Sequence, residues 1–426
     1  MTRKVLLDPA LLAIVAAGCV LRILAAAGHS HHLSADARSY SMLSSDLADH
    51  LKYGGKGLSG PFHWPPGAPF LFAFARVFGL SPYVAQVVVG TLAIVVAALV
   101  AWAVAGRRAG LLAAVLVALY PPLVFSTAEL LSEPLGALLL ALAVLAFGWG
   151  LRDRRALALA PCGVLLGLVA LTRADLLVAP LVVAGVAFAL QRSWRAPLVV
   201  IAAAALTIAP WTFFVATKKH ELVPVSTGGG SNLYIGTYLP GHGTLFGLKH
   251  AYAPVLAAHG VIPRGTPAFR VRATTIFSYV ARDHRGNGKD AYLRSLGLRN
   301  GWHYATHRPV AFARMLGSKA GRLWLDYTHG TLKRAQTLPR IGHILLVLLA
   351  LVALGFGLRA RRAGELVCIA SLLVLATVIN AVLVSEARHL LPLLPLLFAG
   401  AAAGVVLSVR GRSGSIQNAE LSMTRP

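Results

Sequence analysis

Acidic residues are scarce in this chain: 15 Asp and Glu against 40 Lys and Arg in 426 residues, with charged residues only 13% of the total. An ordinary soluble domain carries about 25% charged residues, so a soluble enzyme is excluded first. Cysteine is nearly absent as well. Cys19, Cys162 and Cys368 all fall inside apolar runs, are odd in number and show no CxxC spacing. A disulfide framework and a zinc site are thereby excluded, and the three read as small buried hydrophobes. The glycine run in "STGGGSNLYIG" lacks the GK[ST] ending of a phosphate loop, which removes the usual nucleotide signature. No internal repeat is visible.

What the chain has instead is length in apolar runs. Hydrophobic residues make up 57% of it, and the mean hydropathy is +0.70. Repeated runs of about 17–24 residues match the roughly 30 Å of hydrocarbon that a helix must cross. Continuous Leu, Ala and Val without alternation select helices over a barrel. The fold class is an α-helical polytopic membrane protein with about ten transmembrane helices, an amphipathic first outer loop and a small exoplasmic domain. Spans are expected at 9–27, 82–105, 109–127, 130–149, 156–172, 176–191, 196–215, 341–358, 363–385 and 389–409. The basic start before the first run resembles a signal peptide, but the run is long and more spans follow, so it reads as a retained helix.

Alternate connections are basic: Arg3/Lys4, Arg107/Arg108, Arg152/Arg154/Arg155, Arg192/Arg195, Arg359/Arg361/Arg362 and Arg410/Arg412. The connections between them, "STAELLSE", "TRADL" and "SEARH", are not. Positive charge marks the cytoplasmic side, so both termini are expected inside the plasma membrane and the long connections 28–81 and 216–340 outside. The implied division is 1–215 as an N-terminal membrane part with first outer loop 28–81, 216–340 as an exoplasmic domain, 341–409 as C-terminal helices and 410–426 as a disordered tail. The formal charge of +25 is thus topology information and not a nucleic-acid footprint. The 216–340 loop holds 18 Lys and Arg against 4 Asp and Glu, a net +14. That balance suits an anionic ligand or the bilayer surface, and a solvated basic face equally. A mixed α/β or mostly helical domain is expected there.

In the first outer loop, Leu33, Ala37, Tyr40, Leu43, Leu47 and Leu51 recur at helical spacing, which predicts an amphipathic helix along the membrane surface. Ser34 is its N-cap, placing Asp36 in the first turn. The apolar part of "GPFHWPPGAPFLFAFARVFGL" that follows is too short to span.

The acids cluster by this topology. Asp36, Glu129, Glu133, Asp175 and Glu386 all reach the outer side, joined by Arg173 and Arg388. Arg22, inside the first span, would cost roughly 2.5–3.5 kcal/mol facing lipid, so it is a candidate partner for Asp36 or a bound anion, with snorkelling as the plainer alternative. Carboxylates and arginines at one membrane surface suit a lipid-phosphate-linked sugar. Departure of a phosphate needs charge stabilisation more than protonation, and the acceptor hydroxyl needs one base. Glycoside hydrolysis differs in needing a second carboxyl group. Glu129 and Glu133 read equally as helix-capping acids, with Pro134 at a first helical position, and Asp175 as a plain partner of Arg173. "HSHH" at 29–32 and "HYATH" at 303–307 are the places for a divalent cation, but neither carries a full ligand set, so no cofactor is established. Tyr40, Trp64 and Tyr234 suit stacking on sugar or prenyl groups and, equally, an interfacial aromatic belt.

The ordered set "ADARSY", "FHWPPGAPFLFAFARVFG", "ELLSEPLGALLLAL", "LTRADLLVAPL", "APWTFFVATKKHELVPVSTGGGSNLYIG" and "EARHLLPLLPLLF" resembles the polyprenyl-phosphate-dependent GT-C glycosyltransferases, the superfamily of protein O-mannosyltransferases and lipid A aminoarabinose transferases. The resemblance runs over most of the chain. It implies transfer from a polyprenyl-phosphate-linked sugar to a protein, lipid or glycan acceptor, with Asp36 as catalytic base. It also implies Arg173 and Arg388 near the donor phosphate. Arg22, Tyr40, Glu129, Glu133 and Asp175 are further substrate-site candidates by their own placement and chemistry. Many members carry Asp-Glu where Ala37 follows Asp36, which argues against a metal or second acid at that point. A transporter or lipid-linked-sugar flippase is the rival, but such proteins place ionisable groups near the midplane, often in repeated halves.

The topology carries its own test. A single cysteine introduced into 216–340 is expected to react with a membrane-impermeant maleimide on intact cells; labelling only after lysis would reverse the orientation.

Overall fold

The computed structural model describes residues 5–28, 33–54, 62–153, 155–284, 288–327, 337–360 and 363–423. Helices α1 (Pro9–Gly28), α2 (Ala35–His50), α3 (Gly67–Val77), α4 (Pro82–Ala105), α5 (Arg107–Leu119), α6 (Pro121–Phe125), α7 (Glu133–Asp153), α8 (Ala160–Thr172), α9 (Ala179–Gln191) and α10 (Arg195–Lys219) form the first part. The long connection then folds as α11 (Gly229–Thr237), α12 (Leu245–Ala258), α13 (Ala273–Val280), α14 (Gly288–His307) and α15 (Pro309–Leu325). Helices α16 (Thr337–Ala360), α17 (Gly364–Val382) and α18 (Leu394–Met423) close the chain. The described residues include no strand, so the helical alternative holds for the long connection. Helix α18 runs on to Met423.

Among the described residues, eight helical segments are long and apolar enough to cross a bilayer, at the places of eight of the ten expected spans. The other two differ in form. Arg107–Leu119 and Pro121–Ala128 make one apolar unit bent by 62°, and Ala156–Thr172 is a shorter apolar helix.

The bend follows from the dipeptide Pro121-Pro122. An α-helix would give the carbonyls of Val117 and Ala118 the N–H groups of residues 121 and 122, which prolines lack. Arg22 supplies what is missing. Its Nη2 donates to the Val117 carbonyl at 3.0 Å, and its Nη1 donates to Ala118 at 3.3 Å and to Gly18 at 3.0 Å. Gly90 makes room, since a Cβ there would lie 2.5 Å from Thr127 Cγ2 and 3.0 Å from Arg22 Nε. At 1% exposure Arg22 does not snorkel: its Nη1 and Nη2 are taken by backbone carbonyls, and among the described residues it makes no ion pair with Asp36.

Small residues bring the helices close, as apolar helices without a water-driven force require. Gly163 and Gly167 of α8 pack on α10, where added Cβ atoms would fall 2.5 Å from the Val200 carbonyl oxygen and 2.7 Å from Thr207 Cβ. At the end carrying the basic connections, Arg107 pairs with Asp8 at 2.6 Å and Arg152 pairs with the buried Glu365.

At the opposite end, α2 packs on α3. Ala37, Tyr40, Leu43 and Leu47 are buried on its inner face, and Ser34 Oγ accepts from the Ala37 N–H at 3.3 Å. Leu51 departs from the expected stripe: it ends the helix at φ 51° and is 91% exposed. The triple glycine has a packing reason. Asp290 of α14 accepts from the Gly230 and Ser231 N–H groups at 3.1 Å each, filling the N-terminal end of α11. A Cβ on Gly230 would sit 2.0 Å from the Asp290 carbonyl oxygen.

Arg22→Met is expected to lower the thermal midpoint of the detergent-purified protein, at about 1–3 kcal/mol per orphaned carbonyl. Arg22→Lys should fall between; a midpoint unchanged in the methionine variant would remove Arg22 from this role.

Candidate active site

Four separate chain segments place ionisable groups together beside α2. Asp36 stands in the first turn of α2, held by the Ser34 cap. Glu133 opens α7, with Pro134 next. Arg173 and Asp175 lie at the break after α8. Glu386 and Arg388 precede and begin the tight turn Ala387–Leu393, whose Pro392 stops it from becoming regular helix.

Glu133 is the floor. Its carboxylate lies 3.2 Å from Arg173 Nη1 and 3.9 Å from Arg388 Nε. Arg173 also forks onto Asp175, with Nε at 3.2 Å and Nη2 at 3.0 Å. Arg388 donates from Nε to Glu386 at 2.7 Å and from Nη2 to Asp36. Burial opposes the charge on Arg173, but Asp175 and Glu133 outweigh it and hold its pKa above the ordinary guanidinium value. Gly136 lets that side chain pass, a Cβ there falling 3.1 Å from Arg173 Cδ.

Exposure rises outward. The Glu133 and Arg173 side chains are 4% and 7% exposed, while Asp36, Arg388 and Glu386 reach 21%, 29% and 40%. A buried pair thus supports a partly open acid–guanidinium group. Four carboxylates face two guanidinium groups, a net charge of −2 with His389 neutral. His389 Nδ1 meets Asn380 Oδ1 at 2.7 Å behind Arg388.

Of the residues proposed from sequence, Asp36, Glu133, Arg173, Asp175 and Arg388 meet. Glu129 makes no ion pair with this group among the described residues; it lies toward Tyr83, and its carbonyl accepts from Gln86 Nε2 at 2.7 Å. Tyr40 is corrected from ligand stacking to a supporting position: it is 5% exposed and packs on Trp64 at 5.2 Å. Burial, then the Glu133 charge, push its phenol above the usual tyrosine range. Tyr234 likewise is buried, its hydroxyl 2.6 Å from that of Tyr252. "HSHH" lies outside the described residues. His303 and His307 stack at 4.5 Å on α14, and no metal-holding set of three His, Cys, Asp or Glu occurs among the described residues.

Lys319 escaped the sequence reading because nothing in "GSKAGR" distinguishes it from a surface lysine. Its side chain is wholly buried. Nζ donates to the Gly236 carbonyl at 2.8 Å and the Val382 carbonyl at 3.4 Å, near the C-terminal ends of α11 and α17, where a cation is favoured. Its own carbonyl accepts from Ser385 Oγ at 3.3 Å. Helix α15 therefore clamps the segment that leads into Glu386 and Arg388.

No family model matches the sequence, and no curated protein matches it. Among solved structures, the archaeal oligosaccharyltransferase AglB from Archaeoglobus fulgidus, in complex with an inhibitory peptide and a dolichol-phosphate, aligns over 96% of this chain and 52% of its own. The TM-score is 0.53 and the identity 15%. The same oligosaccharyltransferase in complex with Zn and sulfate aligns over 94% and 49%, at 0.52 and 14%. ArnT from Cupriavidus metallidurans, bound to undecaprenyl phosphate, aligns over 97% and 80%, with a TM-score of 0.43 and 16% identity. The chain spans about half the length of AglB, and the likeness at these identities is one of fold: the polytopic helical fold implied by the ordered motifs is the one found.

The Lys319 clamp gives a signed pH dependence. Burial, then the nearby Arg322 charge, lower its pKa from 10.5 to about 7. Between those values the unfolded chain binds more protons than the folded one, so stability rises with pH across that window. The thermal midpoint of the purified protein should climb from about pH 7 to 10. That climb should flatten in Lys319→Met; an equal climb in the variant would count against the clamp.

Proposed function

We propose that this protein is a membrane glycosyltransferase that moves a sugar from a polyprenyl-phosphate donor to an acceptor hydroxyl on the outer face of the plasma membrane. The observation that carries this reading is the convergence of Asp36, Arg388 and Asp175, all partly open, on the buried Glu133–Arg173 pair. The fold shared with AglB supports it. That enzyme was solved with a dolichol-phosphate and an inhibitory peptide, and separately tethered with an acceptor peptide; the reading here likewise requires a lipid-phosphate-linked donor held in the bilayer and an acceptor arriving from water.

The chemistry asks for three things. The acceptor oxygen attacks the anomeric carbon as the carbon–oxygen bond to phosphate breaks, inverting the configuration. The acceptor proton passes to the Asp36 carboxylate. The leaving phosphate takes up negative charge, which a guanidinium stabilises. Arg388 is suited to this last task because its Nη1 has no partner among the described residues, while Nε and Nη2 are anchored by Glu386 and Asp36. The same anchoring orients the Asp36 carboxylate. Arg173, saturated by Glu133 and Asp175, supports the pair from below.

Asp36→Asn keeps the shape and removes the basicity. It is expected to lower turnover by about 10²–10⁴-fold at matched membrane levels, and to leave a deletion strain without the glycan that wild type restores. Equal restoration by both would make Asp36 structural and favour a transport role. Arg388→Ala is expected to raise the donor KM more than the acceptor KM; unchanged donor kinetics would separate Arg388 from the phosphate.

A further inference from the structure

A second polar site lies on the other face of α2. At about 100° per residue, Ser41 is roughly 140° around the helix from Asp36, and it lines a separate cavity of about 610 Å³ between α2, α3 and the start of α4. Arg76, Asp49, Tyr83, Leu33 and Leu80 line it too.

Arg76 is the unusual group there. Its Nε donates to Ser44 Oγ and its Nη2 to Ser41 Oγ, both at 3.1 Å. Ser44 passes its own proton to the Ser41 carbonyl at 2.8 Å. These hydroxyls orient the guanidinium without neutralising it. Among the described residues no carboxylate pairs with Arg76, and Nη1 keeps its donors. Ser41 accepts from Arg76 and still has a proton to donate. The arrangement presents charge and directed donors to a phosphate oxygen.

Asp49 lines the same cavity and is exposed. A simple anion would gain Arg76 but meet Asp49. A ligand carrying both a phosphate and an ammonium satisfies both walls. A primary ammonium, with three N–H donors, can hydrogen-bond Asp49, whereas a quaternary one cannot.

The surroundings identify the source. Phe74, Val77 and Phe78 are each more than 60% exposed and follow one another at helical spacing beside Arg76. Helix α3 has only 11 residues, too few to span, and the membrane helix α4 starts at Pro82 just after it. An exposed aromatic face on a short helix next to a spanning segment lies in the interfacial layer, where acyl chains cover the phenylalanines and headgroups reach Arg76.

We propose that this cavity binds the headgroup of a zwitterionic, primary-amine phospholipid of the surrounding bilayer, its phosphate on Arg76 and Ser41 and its ammonium on Asp49. The site is independent of the transferase reading, and none of its polar residues belongs to the acid–guanidinium group around Asp36.

The test is native mass spectrometry of the detergent-purified full chain, offered equal amounts of ethanolamine-, choline- and glycerol-headgroup phospholipids of one chain length. Wild type should retain the ethanolamine lipid about tenfold over the choline lipid, the worth of one lost charged contact. Arg76→Gln should lose retention of all three, and Arg76→Lys should keep part of it. Asp49→Asn, an exposed change that leaves the Arg76–serine contacts in place, should still bind phospholipid but lose the ethanolamine preference, so the proposal stays testable if Arg76→Gln misfolds. Equal retention of all headgroups by wild type, or an unaltered preference in Asp49→Asn, would overturn it. So would displacement of the lipid by millimolar inorganic phosphate, which would indicate a plain anion site.

Discussion

Glu133 has to be paired, and much of the site's architecture follows from that need. A carboxylate taken out of water costs several kcal/mol unless cations compensate it. Here the compensation comes from two arginines on two other segments, Arg173 and Arg388. Each of those also pairs with further carboxylates, Arg173 with Asp175 and Arg388 with Glu386 and Asp36. The start of α7, the break after α8, the turn before α18 and the first turn of α2 thus meet at one point, where the buried Glu133–Arg173 pair carries the more open charges around it.

The helices around this point are held by a different force. In an apolar bundle, close approach depends on shape, and Gly163, Gly167 and Gly90 supply the gaps into which neighbouring backbone and side chains fit. Within the bundle, the Arg22 charge sits where the backbone has lost donors, beside Pro121 and Pro122. One end of the molecule therefore uses ion pairs to fasten basic connections, and the other uses them to assemble a partly open group.

Much of this was readable from residue order alone. Spans, the Ser34 cap and the short α3 follow from helical periodicity and run length, which are local properties. The meeting of Asp36, Glu133, Arg173, Asp175 and Arg388 was legible because alternating basic connections assign each of them to one side. Arg22 was misjudged because its partners, the carbonyls of Val117 and Ala118, lie some 95 positions away. Only the folded path shows that Pro121 and Pro122 leave them unmet beside it. Tyr40 was placed on the right face of α2, but its exposure depends on Trp64 packing over it. Lys319 carries no sequence mark at all; its burial is a property of how α15 meets α11 and α17.

The Lys319 clamp has a thermodynamic consequence. Its two carbonyl partners belong to a helix of the long connection and to the membrane helix that leads into Arg388. Any molecule that shifts this joint on seating against the helices of the long connection alters the position of Arg388. Linkage is reciprocal: whatever factor one ligand imposes on the binding of a second, the second imposes on the first. The joint would then favour the ordered filling of two distant positions with no contact between the molecules that fill them.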